Sequence, residues 1–255
     1  MYTTSFWNSL IEDVIPIRHP ANQSVAYIRQ VLPDSSPNLI WLWREGLSVQ
    51  ESGQWEALST LSLSGLLTSK KQYAASVQAQ GLIVKLKPWT LGLLKDQSAV
   101  ESINQSIRLP NNYAPAYPIP MSSLSVAAQT SAAWLQPIFD CYFSAKAVDQ
   151  SITKAIQCIE RSQPGPRIKA LAEQAAQCTR QFERRFKAAT GLTPKQFVRN
   201  VRFERARNYL ALGQSLLDVT YACGYFDQTH FTREFKQISG MTPNRFRQHT
   251  MSLFY

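Results

Sequence analysis

The chain has 255 residues, 44% of them apolar, and a formal net charge of +10. That length buries one large core or two small ones, and no stretch approaches the ~20 consecutive apolar residues that span a bilayer. The opening MYTTSFWNSLIED carries acid in place of the basic start of a signal peptide, so the expectation is a soluble, cytoplasmic protein. The charge is uneven: residues 1–160 hold 11 Lys+Arg and 11 Asp+Glu, while residues 161–255 hold 16 and 6. The whole basic excess therefore sits in the rear and implies a polyanionic partner, nucleic acid before a membrane surface.

Residues 1 to about 122 read as strand-rich. The apolar runs LIWLW (Leu39 to Trp43) and LIVKL (Leu82 to Leu86) are bounded by Pro, Gly, Ser or Lys, and Pro33, Pro37, Pro88, Pro110, Pro115, Pro118 and Pro120 punctuate the rest. From about Ser123 to Arg161 the pattern changes to helices, broken at Pro137. Trp134, Leu135, Ile138, Phe139, Tyr142 and Phe143 form an apolar stripe there, which packs on the strand-rich module or, in a homodimer, on its own counterpart. SQPGP (Ser162 to Pro166) reads as a hinge. Cys141, Cys158, Cys178 and Cys223 are spaced 17, 20 and 45 apart, which fits neither a zinc ribbon nor a CxxC pair, and they read as buried thiols. With only His19, His230 and His249, a histidine-based metal centre is not expected. The front contains no nucleophile, base and oxyanion-hole set, no paired carboxylates and no phosphate loop, so no catalytic residue is assigned and the chain is not read as an enzyme.

Beyond the hinge the pattern is helical. IKALAEQ (Ile168 to Gln174) sets Ile168, Leu171 and Ala172 at helical spacing, AAQCT interrupts it, and a second helix runs from about Thr179 to Ala188. In that helix Phe182 and Phe186 lie four apart and face a core, leaving Arg180, Glu183, Arg184 and Lys187 on the opposite side. Gly191 closes it in a left-handed conformation, Thr193 caps the next helix and Pro194 fits its first turn. That next helix, about Lys195 to Leu212, is roughly 27 Å long at 1.5 Å per residue. Phe197, Val198, Val201, Ala206, Tyr209 and Leu210 cover more than half its circumference, as in a helix clamped between two bodies. Leu217, Val219 and Thr220 then mark a further helix, Gly224 a turn, and Asp227 the N-cap of a helix reaching Lys236. Phe231 and Phe235 point inward there, Thr229, Thr232, Arg233 and Lys236 outward, with Gln228 exposed at the N-terminal end.

These two stretches are one pattern used twice. Phe182, Arg184, Phe186, Lys187, Gly191, Thr193, Pro194 and Phe197 recur 49 positions later as Phe231, Arg233, Phe235, Lys236, Gly240, Thr242, Pro243 and Phe246. Each copy reads as a helix-turn-helix, whose second helix offers its N-terminal residues to base edges in the major groove. Gln bonds adenine, Arg bonds guanine, and Glu183 suits the cytosine amino group. A separation near one turn of B-DNA, about 34 Å, puts both reading helices into successive major grooves.

The runs LAEQAAQCTRQFERRFKAATGLTPKQFVRNVRFERARNYL and LLDVTYACGYFDQTHFTREFKQISGMTPNRFR, within about residues 165–248, resemble the DNA-binding domain of the AraC/XylS family of bacterial transcription regulators. The resemblance implies a sequence-specific DNA-binding transcription factor of the activator kind, associated with the nucleoid. It places base contacts on Arg180, Glu183 and Arg184 in one reader and on Gln228, Thr229 and Arg233 in the other; Thr179 and Lys187, and Thr232 and Lys236, complete the candidate DNA contacts from the reading of the two helices themselves. Thr220 stands where that family usually has Ala, and Ala176 where it often has the turn Gly. A shorter resemblance, over VLPDSSPNLIWL, the Gly65 region and VKLKPWTLGLL, is to the N-terminal sensor-like domain of some AraC-type regulators. It implies a cupin-related small barrel that could enclose a ligand, with Trp41, Trp43, Trp55 and Trp89 as candidate lining, although aromatics in a small barrel more often belong to its core.

The expected fold class is α+β: a small β-barrel-like, cupin-related front domain with a helical segment, then an all-α domain of two helix-turn-helix units joined by a long helix. The domains are residues 1–147, barrel-like to about 122 and a helical linker to about 147, and residues 148–255. Double-stranded promoter DNA is the expected partner, with RNA polymerase, a small-molecule effector and a second copy as further candidates; neither a membrane nor a cofactor nor a metal is expected. Two alternatives stand beside this reading. One is a DNA-repair alkyltransferase-like regulator, for which the front supplies only Cys141 and Cys158 where a four-cysteine zinc centre is needed. The other is a redox-sensing regulator acting through Cys141 and Cys158, or through Cys178 at a helix start, where a thiolate is favoured.

Overall fold

The computed structural model describes residues 4–17, 27–110, 132–144, 146–163 and 165–251. A short helix α1 (Thr4–Asn8) precedes β1 (Ile11–Ile17), β2 (Tyr27–Val31), β3 (Asn38–Arg44), β4 (Leu47–Glu51), β5 (Gln54–Ala57), β6 (Leu61–Ser64), β7 (Lys71–Ala75) and β8 (Gln80–Leu86). A 3-10 turn (Pro88–Leu93) and β9 (Ser106–Arg108) complete the strand-rich part. The strands form two antiparallel sheets, one ordered β1-β8-β3-β6-β9 and one ordered β2-β7-β4-β5. Pro16 sits in edge strand β1, where its missing N–H costs the ladder least. The β4–β5 hairpin turns through Ser52 and Gly53, both at positive φ, the backbone that a two-residue turn between twisted strands requires.

The run LIWLW is apolar throughout because central strand β3 is buried on both faces. Leu39 and Trp41, facing Val84 and Leu82 of β8, belong to a core outside the barrel. Ile40 and Leu42 turn the other way and meet Leu47, Val49, Tyr73 and Ala75 of the second sheet. The outer core is roofed by α1, the 3-10 turn, α2 (Ala132–Tyr142) and α3 (Gln150–Arg161). In α2, Leu135, Ile138, Phe139 and Phe143 beside its end are all buried within the chain, and Trp7 stacks on Phe139 with ring centroids 5.1 Å apart. Leu135, Ile138, Phe139 and Phe143 of the apolar stripe are thus used within the chain; the Trp134 side chain lies outside the described residues, as do Pro115, Pro118, Pro120 and the expected end of the barrel at 122. The expected break at Pro137 does not occur, since α2 runs through it. The lost N–H bond is offset by burial of Leu135, Ile138 and Phe139 on either side.

The rear is helical: α4 (Ile168–Gln174), α5 (Thr179–Thr190), α6 (Pro194–Ala211), α7 (Leu216–Ala222), α8 (Gln228–Ser239) and α9 (Pro243–Met251). Front and rear interlock. Phe182, Phe186 and Phe197 belong to the same continuous core as Trp7, Leu91 and Ile156. A Cβ on Gly191, whose φ is +80°, would lie 2.3 Å from the Ala99 carbonyl oxygen, so only glycine both turns the chain here and admits the front loop. The Asn200 amide donates to Leu67 O at 2.6 Å, the Gln30 amide to Ser239 O at 2.7 Å, and the Lys70 N–H to Ile238 O at 2.9 Å. The N–H and hydroxyl of Ser35 both donate to the Glu204 carboxylate, at 3.2 and 3.0 Å. The architecture is α+β, with a two-sheet front domain and an all-α rear domain.

Candidate nucleic-acid interface

The first helix-turn-helix is α4, a turn and α5. Leu171 and Ala172 are buried, and the turn passes through Ala176 at φ +52°. Phe182 and Phe186 point inward with rings 5.9 Å apart, and Phe186 meets Phe197 of α6 edge-on at 5.6 Å. This fixes the opposite face of α5 outward: Thr179, Arg180, Glu183, Arg184 and Lys187 are all exposed. Arg185, on the flank, instead pairs at 2.6 Å with Asp149, whose carboxylate also caps α3. Partial burial alone would raise the Asp149 pKa, but the Ser151 hydroxyl and the Arg185 guanidinium outweigh it and hold the carboxyl below its ordinary range.

Helix α6 starts in a capping box, Thr193 and Gln196 satisfying each other's backbone N–H. Phe197 and Val201 enter the first core, and Phe203, Ala206 and Leu210 enter a separate core in the second unit. The long helix is therefore clamped between two bodies, as its wide apolar surface implies, and Asn200 and Glu204 give it a third contact with the front domain.

The second unit is α7, a turn at Gly224 (φ +70°) and α8, capped by Asp227, which accepts from the His230 N–H at 2.7 Å. Phe231 and Phe235 are buried, 5.7 Å apart and edge-on. Tyr225 lies under the Arg202 guanidinium at 4.3 Å, and burial drives its phenol pKa upward. Arg202 also donates twice to Glu234, at 2.9 and 3.1 Å, tying α8 to α6. Gln228, Thr229, Arg233 and Lys236 are exposed, and Thr232 is half-buried on the flank.

The arginines sort by partner. Arg185, Arg199, Arg202, Arg205 and Arg207 are held by carboxylates or carbonyls, whereas no hydrogen bond or ion pair among the described residues engages Arg180, Arg184, Arg233, Lys187 or Lys236. Two exposed helix faces thus offer cations that the fold itself does not use, which suits phosphate and base-edge acceptors.

The tryptophan expectation is corrected. The cavity between the sheets, about 310 Å³, is lined by Ile17, Ile40, Tyr73 and Ile83, with Asp34, Asn38 and Lys85 among its polar groups, and by none of the four tryptophans. Trp41 has the strand parity of Leu39 and faces the outer core, Trp43 and Trp89 pack against that core, and Trp55 is exposed on edge strand β5. Alternation along β3 and β8 was the signal for the lining. The thiols are corrected likewise: only Cys223 is buried, its pKa pushed up to about 11 by burial. Cys178 is exposed at the N-cap of α5, and Cys141 and Cys158 are half-buried. Among the described residues no group of three His, Cys, Asp or Glu side chains is placed to hold a metal, and no helix is long and apolar enough to cross a membrane.

Residues 171–249 match a family model described as a helix-turn-helix domain. The HTH-type transcriptional activator RhaS of Escherichia coli (strain SE11) is 35% identical over 80 residues, 31% of this chain and 29% of RhaS. Over this stretch the chain is similar to RhaS, within a helix-turn-helix domain that makes up under a third of it. The chain's match spans less than a third of that relative's length. A likeness of fold extends to the front: an apo ToxT variant from Vibrio cholerae strain SCE256 superposes at a TM-score of 0.51 with 13% identity, over 92% of this chain and 96% of ToxT. Neither alternative reading, the alkyltransferase or the redox sensor, is favoured beside these matches.

Proposed function

We propose that this protein is a sequence-specific transcription regulator of the activator kind, acting in the cytoplasm without catalysis, whose α5 and α8 read successive major grooves of promoter DNA. The observation that carries the reading is the pair of exposed helix faces whose cations have no intramolecular partner, each backed by two buried phenylalanines. Arg180, Glu183 and Arg184 are the base readers of the first unit, and Gln228, Thr229 and Arg233 those of the second. Thr179, Lys187, Thr232 and Lys236 hold phosphates.

Residues 1–147 form the sensor and assembly module and residues 148–255 the DNA-binding module. The cavity between the sheets supports a small-molecule effector, because it is mostly apolar with a few polar groups. Its Asp34 and Lys85 pair at 2.8 Å, next to the Ser35 that bonds Glu204 of α6, so an occupant bears on the helix joining the two readers.

The test is recovery of bound fragments from sheared genomic DNA by the full chain at about 150 mM salt, where phosphate-only binding is weakened. Enrichment of a site with two short elements about one helical turn apart is expected. Uniform recovery of all fragments would overturn sequence-specific reading.

A further inference from the structure

The two helix-turn-helix units do not repeat at a single spacing. The first helix and turn recur 48 positions on: Leu171 O accepts from Ala175 as Val219 O does from Cys223, and Ala172 O from Gln177 as Thr220 O does from Tyr225. The left-handed residue is Ala176 in one and Gly224 in the other, again 48 apart. The reader helices recur at 49, from N-caps Cys178 and Asp227 to C-caps Gly191 and Gly240. The second unit therefore carries one extra residue between its turn and its N-cap, and that residue is Phe226.

Its neighbours fix where it stands. Tyr225 is buried under Arg202 and against Phe231, and Asp227 is held by the His230 N–H. Between these two anchored positions Phe226 is 88% exposed, while every other phenylalanine whose burial is described is buried or half-buried. Phe226 lies immediately before the N-cap of α8, beside Gln228 and Thr229, at the end by which a recognition helix meets base edges. The apolar group that bases present in the major groove is the thymine 5-methyl.

We infer that Phe226 is a specificity-determining residue that packs on a thymine methyl in the element read by the second unit. The inference rests on the DNA-reading assignment of α8. Where the second unit has this ring the first has no counterpart, since the residue before its N-cap, Gln177, aligns with Tyr225. The second element of the site is accordingly required to contain a thymine that the first need not.

The test starts from a random-sequence duplex pool selected with the full chain at about 150 mM salt. The selected duplex is remade with uracil replacing thymine one position at a time, which removes only the methyl, and each is titrated with the wild-type protein and with Phe226→Ala, a substitution at an exposed side chain. One uracil in the second element is expected to weaken wild-type binding about fourfold, the value of one buried methyl-sized group. Phe226→Ala should bind the thymine duplex as weakly as wild type binds the uracil duplex, and be indifferent to that uracil. Wild-type affinity unchanged by uracil anywhere in the second element, or equal sensitivity in Phe226→Ala, overturns the contact while leaving DNA reading intact. A pool that yields no enriched sequence overturns DNA reading, and this inference with it.

Discussion

The two helix-turn-helix units share a sequence pattern and differ in what completes them. The first has no core of its own: Phe182 and Phe186 pack into the cluster that also holds Trp7, Leu91 and the helices roofing the front domain. The second closes a core around Phe203, Tyr225, Phe231 and Phe235, touched by the front domain at Leu32. The position five residues before Thr190 in the first copy and before Ser239, its equivalent 49 residues on, makes the same point. It is Arg185 in the first copy, paired with Asp149 of the front-facing α3, and Glu234 in the second, paired with Arg202 of α6. Repetition of sequence preserves the reader helix and its cap, and leaves the flanks to whatever each copy must dock against. Helix α5 is built into the body that holds the front domain, and α8 is carried by the long helix.

That contrast is most sharply tested by cavities. Phe182→Ala and Phe231→Ala should each cost about 3–5 kcal/mol, as both rings are fully buried. Hydrogen exchange should separate them: loss of Phe182 exposes amides of β3 and β8 as well as α5, while loss of Phe231 stays within α7 and α8. Equal effects on the front strands would refute the division of cores. Next in size is Glu234→Gln, expected to cost about 1.5–3 kcal/mol because charge-assisted bonds from Arg202 in a partly buried setting are weakened; chemical denaturation measures it.

On the reader faces the two units should behave alike. Arg184→Ala and Arg233→Ala are each expected to lose about 1–3 kcal/mol of specific DNA binding and to relax one position of the site, with melting temperature unchanged. A fall in melting temperature would show that these side chains serve the fold. The flank of the first unit gives a smaller, pH-dependent effect. Because the Asp149 carboxyl is held below its ordinary 3.8, its stabilisation is present above that pH and lost as pH falls through the lowered native value. Asp149→Asn keeps a cap and removes the charge, so it should cost under about 1 kcal/mol at neutral pH, Arg185 being half-exposed. The gap from wild type should close in acid.

How much of this was legible in the sequence depended on what kind of constraint set each residue. Aromatic pairs four apart, Gly at a left-handed cap and Thr-Pro at a helix start are local requirements, and they placed the helices α5 and α8 and the long helix between them. Even there identity hid an equivalence: the Thr190 and Ser239 hydroxyls, 49 apart, each bond the carbonyl four residues back and the N–H two residues on. Trp41, Trp43 and Trp89 belong with the core, the commoner place for aromatics in a small barrel; because β3 is buried on both faces, aromatic character alone does not say which face is the cavity. The uninterrupted helix at Pro137 depends on packing from distant segments, as do the contacts of Asn200 and Glu204 with the front domain. The extra residue Phe226 was present as a mismatch between spacings of 48 and 49, visible only once the turns could be superposed.

The smallest expected effect concerns those turns. Both pass through a left-handed residue, Ala176 at φ +52° and Gly224 at φ +70°. An L-residue in that conformation costs about 1–2 kcal/mol, and glycine avoids this at an entropic cost of roughly 0.5–1 kcal/mol in the unfolded chain. Ala176→Gly should therefore stabilise the protein by about 0.5–1 kcal/mol, and Gly224→Ala should destabilise it by a similar amount. The asymmetry fits the division of cores, since a unit sharing a large core with the front domain tolerates a strained turn more readily than one closing a small core by itself. Denaturant midpoints of the two exchanges decide the matter: if Ala176→Gly is destabilising, the alanine methyl is doing more for the first unit than its backbone conformation costs, and the explanation by shared core fails.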